Sequence, residues 1–350
     1  MKESSTIILS AKDVVVEFDV RDRVLTAIRG VSLDLEEGKV LALVGESGSG
    51  KSVLTKTFTG MLEDNGRIAN GTITYRGQEL TKISDNKDWG TIRGKKIATI
   101  FQDPMTSLNP IKTIGEQITE VITKHQGIAG DEAESLAIDY MGKVGIPEPE
   151  RRFKEYPFQY SGGMRQRIVI AIALACQPDI LICDEPTTAL DVTIQAQILV
   201  LLKELQKENG FTTVFITHDL GVVASIADNV AVMYAGQIVE FGTVEDIFYD
   251  PKHPYTWSLL ASLPQLVDNE HPLYSIPGTP PSLYTQIKGD AFAPRSDYAM
   301  AIDFEETPPV FEVSSTHWAR TWLLHPDAPK VDKPEIIQDL HEKIARKLKR

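Results

Sequence analysis

The stretch GESGSGKS, residues 45–52, constrains the fold of this chain more than any other feature. It follows the apolar run VLALV and precedes the helical pattern KSVLTKTFTGML. It therefore matches G-x-x-x-x-G-K-[ST] in the strand–loop–helix context of a phosphate-binding P-loop. Glycines let backbone N–H groups converge on phosphate oxygens, and a helix N-terminus favours negative charge. The alternative, a glycine-rich turn without function, does not account for a full eight-residue match in this context.

Two side chains of the P-loop have a specific expected role. Lys51 is expected to reach the β- and γ-phosphates of a nucleotide, and Ser52 is expected to bind Mg²⁺. The predicted nucleotide contacts in and beside the loop are Gly45, Glu46, Ser47, Gly48, Ser49, Gly50, Lys51, Ser52 and Val53.

Five short β-branched apolar runs predict an α/β sheet. They lack strict alternation of apolar and polar residues, which is typical of parallel strands buried on both faces. Helical patterns alternate with them, which favours right-handed crossover connections. The runs are 40–44, 96–100, 180–183, 213–217 and 230–233, and the helical patterns are roughly 51–62, 131–145, 163–176, 193–209 and 219–227.

The rest of the chain indicates how it divides into domains. A main domain is predicted over 1–250, with an antiparallel hairpin near its start and a helical insertion at about 103–177. Residues 251–335 are rich in Pro and aromatic residues, which predicts a smaller, irregular accessory domain. The tail 336–350 is predicted to form a helix with a basic end.

Composition argues against some classes of function. A net charge of −13 disfavours a general nucleic-acid binder, which usually has a basic face. Cys176 and Cys183 lack the spacing of a metal site and suit a reducing cytosol. The most apolar stretch, Ile168–Cys176, is far shorter than the ~20 residues that span a bilayer. A role at a membrane would therefore require other chains to supply the membrane spans.

Polar side chains follow three further apolar runs, at the sheet edge where such folds bind ligands. In ILICDEP, Asp184 is expected to hold Mg²⁺ and Glu185 to polarise the attacking water as general base. In TVFITHDL, His218 is expected to contact the γ-phosphate or hold that water. In TIFQDP, the amide of Gln102 can coordinate Mg²⁺ and orient water. For His218 and Gln102 the alternative is a polar strand end without catalytic function.

The segment YSGGMRQR, residues 160–167, has the composition of a second phosphate cradle. It opens a helical pattern and offers a serine hydroxyl and two glycines, but no acid, base or metal ligand. One nucleotide needs only one cradle, so the residues alone do not explain this signature segment.

The signature segment is explained by a family resemblance, which rests on the order of these motifs along the chain. The P-loop, Gln102, SGG, DEP, ALD and His218 together resemble the ATPase domain of ABC transporters over about residues 5–250. The resemblance implies a RecA-like mixed sheet, an antiparallel β subdomain and a helical subdomain. It also implies a head-to-tail dimer, in which the signature segment of one subunit closes over the ATP held by the P-loop of the other.

The resemblance assigns further roles to individual residues. The residues implied to act on the partner's nucleotide are Ser161, Gly162, Gly163 and Asp191. Gln102 corresponds to a loop that senses Mg²⁺ and relays to membrane subunits. Phe18 is the aromatic residue most suited to stack on adenine, and an ordinary core position is the alternative for it.

Two other segments resemble the oligopeptide, dipeptide and nickel importer branch of that family. They are FQDPMTSLNP at 101–110 and the motifs HPYTWSLLASLP, IPGTPPSL and GDAFAPR within 253–295. The branch implies a second, homologous ATPase as heterodimer partner, two integral membrane permease subunits and an extracytoplasmic peptide-binding protein. It places the chain at the cytoplasmic face of the cell membrane as a peripheral subunit that powers oligopeptide import, with dipeptides, nickel or another small solute as alternative cargo.

Many members of that branch have C-terminal cysteines that hold an iron–sulfur cluster. The equivalent positions here are Asp290, Ser296 and Asp303. Because such clusters are normally held by four thiolates, no cluster is expected in this chain.

The sequence disfavours two other classes of function. A soluble ABC ATPase that acts on DNA or ribosomes is disfavoured by the acidic charge and by the importer-like C-terminal segment. A non-hydrolysing regulatory subunit is disfavoured by the intact Lys51, Asp184, Glu185 and His218. The expected ligands are therefore ATP and Mg²⁺, with no nucleic acid.

Overall fold

The computed structural model describes residues 6–188, 190–263 and 274–338. The strands are β1 (Ile7–Val20), β2 (Arg23–Glu36), β3 (Val40–Val44), β4 (Gly66–Tyr75), β5 (Gln78–Glu79), β6 (Ile97–Ile100), β7 (Ile180–Asp184), β8 (Thr212–Thr217), β9 (Asn229–Tyr234), β10 (Gln237–Thr243), β11 (Phe311–Glu312) and β12 (Trp318–Ala319). The helices are α1 (Lys51–Phe58), α2 (Asn86–Ile92), α3 (Pro104–Ser107), α4 (Ile114–Gln126), α5 (Asp131–Lys143), α6 (Pro149–Arg152), α7 (Gly162–Ala175), α8 (Val192–Asn209), α9 (Leu220–Ile226), α10 (Val244–Tyr249) and α11 (Pro254–Ala261).

The chain forms two compact units. The first comprises residues 1–6, 36–39 and 82–216, and the second comprises 7–35, 40–81 and 217–350. The sequence-predicted division into a main and an accessory domain stays a prediction. Most of the tail for which a helix is predicted lies outside the described residues.

The first unit contains three parallel strands in the order β8-β7-β6. All three are buried or nearly so, as their continuous apolar runs predict. The chain between β6 and β7 forms helices α3 to α7, which is the predicted helical insertion. Its longer helices bury their apolar faces against one another, through side chains such as Ile118, Met141 and Ile170.

The second unit contains a four-stranded sheet and a larger mixed one. In the smaller sheet, in the order β2-β1-β4-β5, strand β1 pairs antiparallel with β4. In the larger one, β11-β12-β10-β9-β3 follow one another, and only the β9–β3 pair among them is parallel. This arrangement confirms the predicted mixed sheet and antiparallel segment.

The core of the second unit combines residues from distant parts of the sequence. Val44 of β3 and Val232 of β9 are paired neighbours and are fully buried. The same apolar cluster contains Tyr255, Trp257 and Phe292, which come from the Pro- and aromatic-rich part of the chain. The C-terminal residues therefore complete the core that supports β3 and the P-loop. In the part of the chain that the structure describes, no helix combines the length and apolar character that a bilayer crossing needs.

Candidate nucleotide site

The P-loop leaves β3 through a glycine that no other residue can replace without movement. Gly45 has φ +151°, and a Cβ atom placed there would lie 2.1 Å from the carbonyl oxygen of Met233. Gly50, at φ +104°, would place a Cβ 2.8 Å from Cδ1 of Ile28. Both glycines are thus required by backbone conformation and by close approach, as the P-loop motif predicts.

A tight turn between β9 and β10 lies beneath the loop. Its central residues Ala235 and Gly236 both have positive φ, 45° and 81°, as a type I′ hairpin requires. The N–H of Gly236 donates to the carbonyl oxygen of Ser49 at 2.9 Å. The P-loop backbone is therefore held by main-chain contacts from a hairpin far along the sequence.

Lys51 begins α1 and is almost completely buried. Its Nζ donates to the carbonyl oxygens of Gly45 and Glu46 at 2.8 and 2.9 Å, and lies 3.5 Å from Oγ of Ser49. The ammonium group is thus positioned inside the loop, where phosphate oxygens can exchange with these carbonyl oxygens.

Glu46 makes contacts that the motif does not predict. Its N–H donates to the hydroxyl of Tyr255 at 2.7 Å, and its carboxylate accepts two hydrogen bonds from Arg295. The contact of Glu46 with nucleotide stays a prediction. Tyr255 and Arg295 belong to the C-terminal motifs HPYTWSLLASLP and GDAFAPR, but they lie more than 200 residues after the loop, and no sequence pattern connects them with Glu46.

Two other predicted residues lie in the same unit. His218 is exposed directly after β8, and Asp219 beside it caps α9 by accepting a hydrogen bond from the N–H of Gly221 at 2.8 Å. Phe18 is 9% exposed, and its ring packs so closely on Gly66 that a Cβ there would lie 2.6 Å from Cε1. The roles of His218 in catalysis and of Phe18 in adenine stacking stay predictions.

In the first unit, Glu185 follows β7 in a strained conformation. It has φ +46°, which is uncommon for a residue with a side chain and is typical of functional sites. Its N–H donates to the carbonyl oxygen of Ile216 at 3.1 Å. Its Oε2 accepts hydrogen bonds from Nε2 of Gln102 and Oγ1 of Thr188, each at 3.0 Å. The structure therefore brings Gln102 and Glu185 together, and adds Thr188, which sequence reasoning missed.

The signature segment opens helix α7 as predicted. Ser161 is the N-cap residue and its Oγ accepts a hydrogen bond from the N–H of Met164 at 3.3 Å. Gly162 and Gly163 form the first turn, and Ser161 and Gly162 are exposed. A Cβ at Gly163 would lie 2.7 Å from Cγ2 of Ile194. The first turn of α7 is thus an exposed set of small residues on a helix N-terminus, which suits an anion.

Asp191 lies at the start of the neighbouring helix. It is exposed, and its Oδ1 caps α8 by accepting a hydrogen bond from the N–H of Ile194 at 3.1 Å. Because Ile194 also contacts Gly163, the starts of α7 and α8 are packed together. Within the described residues, nothing explains why position 164 of the signature segment is a methionine.

Asp290 and Asp303, two of the three positions that the family resemblance equates with cluster-binding cysteines, lie close together. The N–H of Asp290 donates to the carbonyl oxygen of Asp303 at 2.7 Å, and the Asp303 carboxylate accepts from the N–H of Met300 at 2.7 Å. Burial raises the pKa of Asp303. Ser296 accepts a hydrogen bond from the N–H of Tyr298. These oxygen donors do not fit an iron–sulfur cluster, which thiolates hold. The absence of a cluster stays a prediction.

Comparison with known proteins identifies the family. A family model described as "ABC transporter" matches residues 28–188, and one described as "Oligopeptide/dipeptide transporter, C-terminal region" matches residues 239–302. The dimeric, post-hydrolysis structure of the ATP-binding cassette MJ0796, bound to ADP and Pi, is similar with a TM-score of 0.60 and 28% identity. That likeness covers 67% of this chain and 98% of the cassette.

Two curated relatives match almost end to end. The oligopeptide transport ATP-binding protein AmiE of Streptococcus pneumoniae is 77% identical over 348 residues, 99% of this chain and 98% of AmiE. The dipeptide transport ATP-binding protein DppD of Lactococcus lactis is 57% identical over 331 residues, 94% of this chain and 95% of DppD. With its P-loop, signature segment and strand-end acids in place, the chain belongs to the ATP-binding proteins of the ABC transporter family, in the oligopeptide and dipeptide branch.

Proposed function

We propose that this chain is the ATP-hydrolysing subunit of an importer that carries oligopeptides across the cytoplasmic membrane. The 77% identity to AmiE, an oligopeptide transport ATP-binding protein, extends over almost the full length of both chains and supports oligopeptides as the cargo. The relationship to DppD keeps dipeptides as the alternative cargo, and nickel or another small solute is disfavoured by both names. Comparing uptake of labelled dipeptides and longer peptides by the assembled transporter distinguishes dipeptide import from oligopeptide import.

The observation that best supports ATP hydrolysis is the fixed orientation of the Glu185 carboxylate. Two hydrogen bonds and a strained backbone fix the orientation of its carboxylate, which is what a general base requires. Lys51 binds the phosphates by exchanging loop carbonyls for phosphate oxygens. His218 is proposed to position the γ-phosphate, with Phe18 against the adenine.

A magnesium ion bound with ATP would neutralise phosphate charge. The residues proposed to hold it are Ser52, Gln102 and Asp184. Hydroxyl, amide and carboxylate oxygens are suitable ligands for this hard cation.

The signature segment is proposed to act on ATP held by a second, homologous ATPase subunit. Ser161, Gly162 and Gly163 offer a hydroxyl and a helix N-terminus on an exposed surface, and Asp191 is exposed beside them. The dimeric form of the MJ0796 cassette supports such an arrangement. Binding of ATP would close the pair of subunits, and hydrolysis would reopen it.

Contact with two integral membrane permease subunits is proposed for the segment around Gln102. Three large apolar side chains of this segment are exposed: Phe101, Met105 and Ile111. Exposed apolar groups of this size suit a protein interface. The chain would then lie peripherally at the cytoplasmic face of the membrane, with an extracytoplasmic peptide-binding protein on the other side and no role for nucleic acid.

The variant Glu185→Gln tests the hydrolytic assignment. A carboxamide keeps the shape and the hydrogen-bond acceptor but cannot take a proton from water. Steady-state ATP hydrolysis by the assembled transporter should fall by roughly 100-fold or more, with ATP still bound.

The matched control is Glu204→Gln, which removes the same charge from an exposed position of α8. It should hydrolyse ATP at the wild-type rate. Undiminished hydrolysis in Glu185→Gln would refute the role of Glu185 as base.

A further inference from the structure

Arg295 makes a two-pronged ion pair with the P-loop. Its Nη1 lies 2.6 Å from Oε2 of Glu46, and its Nη2 lies 3.0 Å from Oε1. The Arg295 side chain is 4% exposed, whereas that of Glu46 is 27% exposed. A parallel, two-bond contact of this kind fixes direction as well as distance, which a lysine could not do.

The position of Arg295 is itself determined by its surroundings. Nε donates to the carbonyl oxygen of Pro277 at 2.7 Å, and Nη1 also donates to the hydroxyl of Tyr234 at 3.1 Å. The guanidinium lies 5.7 Å from the ring centroids of both Tyr234 and Phe292. Burial alone would lower the pKa of Arg295, but the hydrogen bonds with Glu46 and Tyr234 raise it. The group is therefore a fixed cation, built into the C-terminal part of the chain.

The same aromatic cluster contacts the loop main chain. Tyr255 is fully buried and accepts the N–H of Glu46 at 2.7 Å. Its ring centroid lies 4.5 Å from that of Tyr234 and 5.2 Å from that of Phe292. Glu46 is thus held at its N–H and at its carboxylate by C-terminal residues, and its carbonyl oxygen holds Lys51.

We propose that Arg295 is a positioning residue for ATP: through Glu46 it sets the backbone that presents Lys51, so that ATP affinity depends on the C-terminal region. This inference rests on the proposed function, since it assumes that the P-loop binds ATP. The hydrogen bonds described above for Glu185 are made with Gln102 and Thr188, which lie with it in the other unit. The contribution of Arg295 is therefore to nucleotide binding rather than to the hydrolytic step.

The test measures ATP binding by calorimetry on the full chain and kcat and KM for ATP on the assembled transporter. Arg295→Met keeps the volume of the stem but removes both hydrogen bonds to Glu46. The expected result is a rise of about tenfold in the Kd and KM for ATP, with kcat within about twofold of wild type. Arg295→Lys, which keeps the charge, should restore part of the affinity.

Glu46→Gln is the second variant and keeps the proposal testable if Arg295→Met fails to fold. It should weaken ATP binding by a similar factor, and the double variant should be no weaker than either single one. The matched control is Lys333→Gln, because Lys333 makes an ion pair with Asp250 at 2.8 Å in the same region without contact to the loop.

The outcomes separate the two proposals. If wild type and Lys333→Gln bind ATP and the Arg295 and Glu46 variants bind it equally well, the positioning role is wrong and the proposed function stands. If the Arg295 and Glu46 variants lose affinity additively, or lose kcat with KM unchanged, the positioning role is also wrong. If the wild-type chain does not bind ATP, the proposed function itself fails.

Discussion

At the scale of single residues, the contacts of Glu185 and Glu46 differ in how far along the chain their partners lie. Glu185 is joined to Thr188, three residues away, and to Gln102 at the end of a strand that pairs with β7. Glu46 is joined to Arg295, which no local pattern connects with it. Contiguous motifs and strand ends could therefore be predicted from sequence, whereas the C-terminal contacts of the P-loop could not.

The glycines of the P-loop give a prediction about stability. Gly45→Ala forces a methyl group against the carbonyl oxygen of Met233, so that the exit from β3 must move. The free energy of unfolding should fall by about 3 kcal/mol or more, measured by urea denaturation without nucleotide.

Gly30→Ala is the control, because Gly30 also has positive φ but has open space around the added methyl group. Its free energy of unfolding should fall by only ~1–2 kcal/mol, which is the cost of a left-handed backbone conformation for a residue with a Cβ atom. Equal losses in the two variants would contradict the steric explanation.

At the scale of elements, the sequence predicts the five strands β3, β6, β7, β8 and β9, but it does not separately identify six of the described helices: α2, α3, α4, α6, α10 and α11. Helix α4 is rich in β-branched residues, which have modest helix propensity. It forms because Thr113 and Glu116 make a capping box and because Ile114, Ile118 and Ile122 are all fully buried on one face. Tertiary burial thus decides the structure where local propensity does not.

The β9–β10 hairpin was also missed, for a different reason. Its turn residues are Ala235 and Gly236, and Ala is a rare choice for a left-handed position. The conformation is held by the contacts of Gly236 with the P-loop and with β2, where its carbonyl oxygen accepts from the N–H of Arg29 at 2.8 Å. These contacts come from residues that are distant in the sequence, so the local sequence does not indicate the turn.

Helix α10 gives a prediction about pH. Asp246 accepts hydrogen bonds from the N–H and hydroxyl of Thr243 and from the hydroxyl of Thr316. Burial opposes its ionisation, but these hydrogen bonds prevail and lower its pKa. A lowered folded-state pKa means that the stabilisation is present above the unfolded-state value of about 3.9 and is lost as the pH falls through the folded-state value.

Asp246→Asn should therefore reduce the free energy of unfolding by about 1 kcal/mol at pH 7, with allowance for solvent screening. The difference from wild type should shrink as the pH falls below about 4. Urea denaturation at a series of pH values measures it, and Asp327→Asn, at an exposed side chain, is the control. A difference that stays constant down to pH 3 would contradict the ionic explanation.

At the scale of the whole molecule, each unit is assembled from separated segments of sequence. Sequence patterns identify which segments are strands and helices, but not which distant side chains complete a core. The burial of Tyr255, Trp257 and Phe292 with β3 and β9 is the clearest case. Irregular, Pro-rich sequence after residue 250 gives no periodic signal from which that packing could be inferred.

Removal of residues 251–350 should consequently unfold the second unit. Val44 and Val232 would lose the aromatic side chains that belong to their cluster. The free energy of folding becomes less favourable by about 25 cal/mol for each Å² of apolar surface that is exposed to water. The truncated chain should aggregate or bind the dye ANS, and should not bind ATP.

The control is the full-length chain with Asp327→Asn, a change at an exposed side chain outside this cluster. It should retain wild-type solubility and thermal stability. A soluble, ATP-binding chain of residues 1–250 would contradict this account of the core.

The pairing of β3 with β9 also determines when the P-loop can be completed during biosynthesis. Residues 45–52 leave the ribosome early, yet the strand beside β3 begins at Asn229, and Arg295 follows later still. At 5–20 residues per second, on the order of tens of seconds of translation separate the loop from its supports. A nascent chain therefore carries the complete motif long before it has the structure that can hold a nucleotide.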